Sequence, residues 1–168
     1  DRAATRAGHL RRDRLRGDPL LSFCMAPHAP YTVSDATLER VVTLAAQLDL
    51  PIHIHIHETS AEIEESLQLH GLRPLERLHR LGVLGPGLIG VHAAHLEEGE
   101  IRLLAKYDCS IAHCPSSNMK LASGIAPIVA MLEHGLRIGL GTDGAASNNP
   151  LDIFQGMRHA ALLAKAVS

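Results

Sequence analysis

Histidines alternate with isoleucines in one short stretch of the chain, from Ile52 to His57, and the acid Glu58 follows directly. A period of two is typical of a β-strand with two unlike faces. The β-branched isoleucines suit a face that packs against helices. Three imidazoles on the other face indicate a metal site or a proton relay. The alternative is a polar strand face whose imidazoles only hydrogen-bond to one another.

Composition narrows the class of protein. The chain has 168 residues, of which 46% are hydrophobic and 20% charged, enough for one domain with a core. A net charge of −2 and an aromatic content of 2% supply neither the basic field nor the stacking surfaces that nucleic acids require. No apolar run approaches the roughly 20 residues of a membrane span. We therefore expect neither a nucleic acid nor a membrane as a partner.

Cysteine usage and the chain ends add two expectations. Cys24, Cys109 and Cys114 are odd in number and lack zinc-finger spacing, which favours reduced thiols in a cytoplasmic protein. The chain begins at Asp1 rather than Met, and residues 160–168 still have a helical pattern with no terminating signal. We therefore expect a piece of a longer chain. The six arginines of residues 1–17 favour a solvated helix face over a nucleic-acid arm.

Strands and helices are predicted to alternate along the chain. Besides the histidine strand, strands are predicted at residues 20–26, 88–92, 109–113 and 136–140. Helices are predicted before Pro51, with a capping box of Thr32 and Asp35, and then at 60–69, 74–81, 97–106, 126–134 and from about 151 onward, where Pro150 opens the helix; residues 115–124 are predicted as a loop. This alternation indicates a parallel sheet, either an open doubly wound sheet or part of a (β/α)8 barrel, which needs about 250 residues.

The positions of the polar residues decide between these two architectures. The polar candidates all lie at or just after the carboxyl ends of predicted strands: His28, His55, Glu58, His92, His113 and Asp143. Barrel enzymes take their chemistry from this end of many strands. A doubly wound site usually has a Gly-rich phosphate loop, and the sequence has none. We therefore predict an α/β fold, a partial (β/α)8 barrel.

Each candidate is weak when taken singly. His92 could be structural, Asp143 could belong to a turn, and His28 could be an ordered loop residue. Cys114 has no evident base to make it a nucleophile. Together, however, histidine, histidine and aspartate at three strand ends can converge on one ion. Zn²⁺ takes such ligands, keeps one position for water and makes that water a nucleophile.

Longer runs of sequence carry a family resemblance. They are Pro27-His28-Ala29-Pro30-Tyr31, His55-Ile56-His57-Glu58-Thr59, Val91-His92-Ala93-Ala94-His95-Leu96, residues 113–124 and residues 141–149. With these runs the chain, from about Leu20 to its end, resembles the amidohydrolase superfamily. Within it the chain is most similar to the group of 5-methylthioadenosine/S-adenosylhomocysteine deaminases, to which triazine hydrolases are related.

The resemblance implies a metal and catalytic residues. His55 and Asp143 match the metal ligands of the fifth and eighth strands, for Zn²⁺ or, alternatively, iron or manganese. Asp143 would also take a proton from the attacking water, and Glu58 would shuttle it to the substrate ring and the leaving amine. His92 would orient the water or the developing oxyanion. His57 matches a variable position and is not expected to be a ligand.

Substrate contacts follow from the same resemblance. His28 and Ser147, together with Glu58 and Asp143, would bind the purine nucleoside, and the Ser117-Asn118 loop would shape the pocket. The implied reaction is hydrolytic deamination by a metal-bound hydroxide, releasing ammonia. The alternatives are hydrolysis of another amino- or chloro-substituted ring, such as a triazine or guanine, and a non-catalytic barrel with a decayed site. A homo-oligomer is compatible with the resemblance.

The chain also departs from the family pattern. The family's first strand carries a His-x-His pair of metal ligands, and nothing here matches it. We therefore expect residues 1–168 to hold strands four to eight only, as a fragment of a barrel domain that lacks the first three βα units and the flanking β-sandwich. Alone, this fragment is expected to bind little zinc and to be inactive. Gly156 replaces a usually acidic residue and should affect helix propensity more than catalysis.

Overall fold

Four parallel strands form one sheet in which the order in space is the order in the chain. The computed structural model describes Asp18 and residues 20–167, so the predicted arginine-rich helix face at 1–17 lies outside the described residues. The strands are β1 (Ile52–Ile56), β2 (Leu88–His92), β3 (Ser110–His113) and β4 (Arg137–Leu140). Each pairs in parallel with the next. Such stepwise parallel pairing is that of a partial (β/α)8 barrel.

Helices connect the strands. They are α1 (Asp35–Leu48), α2 (Ser60–His70), α3 (Pro74–Arg80), α4 (Glu98–Lys106), α5 (Pro115–Lys120), α6 (Ile128–Glu133), α7 (Ala145–Asn148) and α8 (Ile153–Val167). Within the part of the chain that the structure describes, none of these helices has the length and apolar character needed to cross a bilayer.

The isoleucine face of β1 builds the core, as the period of two predicts. Ile52, Ile54 and Ile56 are buried, whereas His53 between them is exposed. The isoleucines belong to one cluster with the helix residues Leu38, Leu75, Leu78, Ile101, Leu104 and Met131. Burying a side chain of this size stabilises the fold by about 1.5–3 kcal/mol. The sheet that carries the site is therefore fixed from its helix-covered side.

The first predicted strand, residues 20–26, is the main error in the strand assignment. Only Met25 pairs, in a single parallel bridge with Ile52. The Met25 N–H donates to Pro51 O, and the His53 N–H donates to Met25 O, both at 2.8 Å. Leu20 and Leu21 are exposed, so an extended conformation there would bury nothing. The described residues therefore contain four strands and one bridge rather than five strands.

Helix ends differ from the prediction where side chains decide them. The predicted capping box is wrong: Ser34 precedes α1, Thr32 Oγ1 donates to Ala29 O, and Asp35 pairs with Arg77. The last helix begins at Ile153, two residues later than predicted. Its first turn is capped by Asp152, whose Oδ1 accepts hydrogen bonds from the N–H groups of residues 154 and 155.

Two short helices lie where no helix is predicted. The structure has α5 within the predicted loop 115–124, and α7 between β4 and α8. Pro115 is at the start of α5, a position that proline favours and that could have indicated this helix.

Candidate active site at the carboxyl edge of the sheet

The carboxyl ends of the parallel strands bring the predicted residues to one edge. Ile56 pairs with His92, so Glu58 follows β1 at the level where β2 ends. His57, His92 and Asp143 have positive φ angles of 49°, 71° and 60°. This left-handed conformation is uncommon for residues other than glycine, costs about 1–3 kcal/mol and is concentrated at functional sites.

His55 presents one nitrogen as a potential ligand. Its Nδ1 lies 2.7 Å from the carbonyl oxygen of His28, which can only accept, so Nδ1 donates and Nε2 keeps its lone pair. A carbonyl that fixes the tautomer in this way is typical behind a metal-binding histidine. The His55 ring also stacks on His92, with 5.2 Å between centroids.

Glu58 and His92 face each other. Glu58 Oε2 lies 3.7 Å from His92 Nε2, slightly longer than a direct hydrogen bond, and Glu58 Oε1 accepts a hydrogen bond of 3.2 Å from Ser123 Oγ. His92 is 1% exposed, and its Nδ1 donates to Asn118 Oδ1 at 2.8 Å. The predicted proton shuttle and the predicted orienting histidine are therefore neighbours.

Asp143 follows β4 and is held as a carboxylate. Its Oδ2 accepts a hydrogen bond from Ser117 Oγ at 2.6 Å, and its Oδ1 accepts one from the Gly144 N–H at 2.7 Å. Partial burial acts to raise the pKa of Asp143, but these two hydrogen bonds, the nearby His92 and a hydrogen bond to Ser147 outweigh it and lower the pKa. The predicted substrate residue Ser147 thus lies beside the predicted metal ligand.

His28 lies next to the same group of side chains. Its ring meets that of His55 edge-on at 5.0 Å between centroids and that of Tyr31 at 5.7 Å. Its Nδ1 is 2.8 Å from Thr32 Oγ1. The ring is exposed, so it can contact a ligand above the edge of the sheet.

The third histidine of the strand points into the interior instead. His57 is fully buried, and its Nε2 accepts a hydrogen bond of 3.0 Å from the Leu75 N–H at the start of α3. Its Nδ1 faces His95 O at 3.4 Å. Burial lowers the pKa of His57 to about 4, so the ring is neutral. Both ring nitrogens are therefore engaged away from the site.

An ion-pair network surrounds His57 and holds the loop after β2. Arg73 donates to both oxygens of Glu100, at 2.8 and 2.9 Å, and to His95 O at 2.8 Å. The His95 ring in turn contacts Ser123 O at 2.5 Å. Ser123 also binds Glu58, so this network reaches the candidate site.

The sequence analysis did not identify Glu62 and Ser123 as site residues, and it named Asn118 only as part of a loop that shapes the pocket. Glu62 is 4% exposed and accepts hydrogen bonds from the N–H groups of His57 and Glu58. The spacing of Thr59 and Glu62 is that of a capping box and could have pointed to Glu62. No local sequence pattern indicates the contact of Ser123 with Glu58, because the two residues are 65 positions apart.

The chain by itself supplies only part of a metal site. Among Asp18 and residues 20–167, no group of three or more His, Cys, Asp or Glu side chains is arranged to hold a metal ion. The bare Nε2 of His55 and the carboxylate of Asp143 are nevertheless the donor types that zinc takes. The two candidate ligands therefore fit zinc if further ligands come from elsewhere.

Fold and site together define a class: a segment of a (β/α)8 barrel with a polar, partly strained site at the carboxyl ends of its strands. The amidohydrolase family model matches residues 10–168, and the chain belongs to that family.

Known proteins of this family resemble the chain over most of its length. A 5-methylthioadenosine/S-adenosylhomocysteine deaminase from Saccharophagus degradans is 47% identical over 156 residues, which is 93% of this chain and 35% of the relative. An adenosine deaminase from Xanthomonas campestris, solved with bound zinc, has 53% identity and a TM-score of 0.93 over 97% of this chain and 37% of its own. A triazine hydrolase variant has 28% identity and a TM-score of 0.82 over 86% of this chain and 32% of its own. The chain thus spans about a third of each.

Proposed function

We propose that the protein containing this chain is a zinc-dependent hydrolase that deaminates a purine nucleoside of the 5-methylthioadenosine or S-adenosylhomocysteine type. The observation that carries the proposal is the facing pair of Glu58 and His92, 3.7 Å apart, beside a histidine with a bare nitrogen. The names of the relatives support the reaction and the substrate class.

His55 and Asp143 are the residues that would hold the metal. Zinc, when bound, would lower the pKa of the water that attacks the substrate. The hydrogen bonds from Ser117 and Gly144 keep Asp143 ionised, which suits both a ligand and a proton acceptor.

The chain's own residues would move the protons. Water adds to the ring carbon that carries the amino group, and Asp143 accepts a proton from that water. Glu58 passes that proton to the neighbouring ring nitrogen. The second proton of the water, released as the added hydroxyl becomes a carbonyl, also passes through Glu58 to the amine, which leaves as ammonia. Ser123 holds one oxygen of Glu58 and leaves the other facing His92, which would orient the developing oxyanion.

Substrate binding would use the outer part of the site. His28 exposes its ring beside His55, where it can contact the nucleoside. Ser147 lies beside the Asp143 carboxylate and would contact the same ligand.

We also propose that this chain is a fragment, strands four to eight of a barrel domain whose other units complete the metal site. The exposed edge strand β4 and the one-third coverage of the relatives support this. A cytoplasmic location remains part of the proposal and is supported by the unpaired, buried thiols of Cys109 and Cys114.

Replacing Glu58 tests the function directly. In the full-length protein, Glu58→Gln keeps the shape of the side chain but cannot shuttle a proton, so kcat on an adenosyl thioether should fall by about 10²–10⁴-fold with zinc content unchanged. Glu64→Gln, on the exposed face of α2, is the matched control and should keep its activity. Retention of turnover by Glu58→Gln would rule out the shuttle role.

Hydrolysis of a triazine is the second candidate, because a triazine hydrolase shares this part of the fold at 28% identity. Comparing kcat/KM of the full-length protein on adenosyl thioethers, guanine and chlorotriazines separates the candidates. A loss of the first-strand His-x-His pair in the full-length sequence would instead favour a non-catalytic barrel.

A further inference from the structure

Glu62 places a buried carboxylate directly behind the candidate proton shuttle. It lies in the first turn of α2 and is 4% exposed. Its Oε1 accepts a hydrogen bond of 3.2 Å from the His57 N–H, and its Oε2 accepts one of 2.9 Å from the Glu58 N–H. The Thr59 N–H contributes as well. Three successive backbone donors therefore surround one carboxyl group.

The turn at these residues needs an acceptor. The pairing of β1 with β2 ends at Ile56, so the next N–H groups are no longer satisfied by the sheet. His57 has a φ of 49°, and successive N–H groups around such a residue form a concave anion site. Buried N–H groups without partners are costly, and a strained turn persists only when its surroundings fix it.

Capping of α2 does not account for this arrangement. Thr59 Oγ1 accepts a hydrogen bond from the Glu62 N–H, as an N-cap side chain does. In a capping box the glutamate side chain accepts a hydrogen bond only from the N–H of the N-cap residue. Here the carboxylate extends to two further residues, one of them Glu58. Burial raises the pKa of Glu62 to about 7, so keeping an acid at this position is costly to the fold.

Glu58 is held at both ends as a result. Its backbone N–H is fixed by Glu62, and its carboxyl oxygen Oε1 is fixed by Ser123, which is 5% exposed. With both ends fixed, Oε2 is left facing His92 Nε2. A shift of the turn would move the carboxyl group relative to both partners.

We propose that Glu62 is a positioning residue: it anchors the turn of residues 57–59 and so sets the Glu58 carboxyl for proton transfer. This inference rests on the proposed deaminase function. A misplacement of a catalytic group by about 1 Å can cost on the order of a hundredfold in rate.

The test uses the full-length, zinc-loaded protein with the variants Glu62→Gln, Ser123→Ala and their combination. Glutamine keeps the volume, but its amide nitrogen cannot accept the N–H groups that one carboxylate oxygen accepts now. For Glu62→Gln we expect kcat to fall by about tenfold to a hundredfold, with KM within about threefold and zinc content unchanged. Glu64→Gln, two residues along the same helix, is the control.

The double variant separates positioning from a purely structural role. Because Glu62 and Ser123 hold the same group, their effects on kcat should be non-additive, whereas effects on unfolding midpoint from two separate structural contacts should add. A kcat for Glu62→Gln within about twofold of wild type, at equal zinc content, would overturn the positioning role even if the melting temperature falls.

Hydrogen exchange at the backbone amides of residues 57–59 gives a readout that needs no turnover. Faster exchange in Glu62→Gln, with Glu64→Gln unchanged, is expected if the carboxylate anchors the turn. Unchanged exchange would overturn the anchor whatever the kinetics show. If the wild-type protein deaminates no nucleoside, the proposed function fails, and the catalytic part of this inference fails with it. The hydrogen-exchange result then tests only whether Glu62 anchors the turn of residues 57–59.

Discussion

The two ends of the candidate site are built differently. At the ends of β1 and β2, His57 and His92 are at most 1% exposed. Glu62 and Arg73 bind the backbone around them, and Glu100 binds the Arg73 guanidinium. At the end of β4, every strand residue is half-buried or exposed. The same edge of the sheet therefore has a closed half and an open half.

The open half depends on local contacts. Asp143 is fixed by Ser117 on α5 and by the Gly144 N–H, and Asn148 Nδ2 donates to Thr142 O at 2.7 Å. Near β4, the described residues show no partly buried ion pair like that of Arg73 and Glu100; the pair of Arg137 and Asp108 there is exposed. The β1–β2 half is therefore packed by side chains of this chain, whereas we propose that the β4 half is covered by barrel units outside residues 1–168.

The largest effect expected is on stability. Ile54 on β1 is 1% exposed, and Ile54→Ala should lower the free energy of unfolding of the full-length protein by about 2–5 kcal/mol. Leu140 on β4 is 36% exposed in this chain. If further barrel units cover β4, Leu140→Ala should cost a similar amount in urea unfolding, and the contrast between the halves disappears.

A control and a contrary result are both available. Leu67 on α2 is 46% exposed beside the closed half, and Leu67→Ala should change the unfolding free energy by about 0.5 kcal/mol or less. If Leu140→Ala behaves like Leu67→Ala, β4 is an open edge in the full-length protein too, and the proposed coverage is wrong.

The second effect is a pH dependence carried by His113, at the end of β3. Burial, with a smaller contribution from the neighbouring His92, lowers the pKa of His113 from 6.5 to about 4. As pH falls below 6.5 the unfolded chain takes up a proton that the folded chain refuses, so stability is complete above that pH and declines towards pH 4. The total loss is on the order of 3 kcal/mol.

His113→Gln should flatten this part of the pH dependence. Urea unfolding at about pH 7 and about pH 4.5 measures the difference, with His70→Gln on the exposed end of α2 as the control. Glu62 acts in the opposite direction, because its raised pKa favours folding as pH falls from about 7, so it is left intact in both variants. If the unfolding free energy of wild type and of His113→Gln changes equally with pH, His113 does not carry this pH dependence.

The smallest effect concerns the open half of the site. Ser117→Ala removes the hydrogen bond to Asp143 Oδ2, and we expect kcat/KM of the full-length protein to fall by about tenfold, or about 1.4 kcal/mol. Ser116→Ala is the neighbouring control, since Ser116 contacts His159 rather than the site. A Ser117→Ala variant as active as Ser116→Ala would mean that Gly144 and Ser147 hold Asp143 without help from Ser117.

The sequence predicted most of the sheet because burial imposes simple periods on it. The strand at Leu88–His92 has the predicted bounds, and the strands ending at His113 and Leu140 begin one residue later than predicted. The strand predicted at residues 20–26 does not form, because a segment that buries few side chains is not held as a strand. The alternation of strands and helices predicts a parallel sheet, and the polar residues at the ends of several strands favour the partial barrel over an open sheet. The comparisons support the partial barrel.

The site was less accessible to sequence reasoning. Period and position gathered His55, Glu58, His92 and Asp143 at strand ends, but their separate roles came from the family resemblance. The contact of Ser123 with Glu58 joins residues 65 positions apart, and that of Asn118 with His92 joins residues 26 apart. Such contacts depend on how loops fold back over the sheet, which no local pattern specifies.

The left-handed turn at His57 gives the three histidines of this strand different positions and partners. His53 is exposed before the edge, His55 reaches the edge, and His57 is rotated inward onto the first turn of α3. A protein designer who transplanted this strand to a new scaffold would carry over one usable imidazole rather than three. The graft would also require a substitute for the α3 amide, or the innermost ring would become a buried base without a donor.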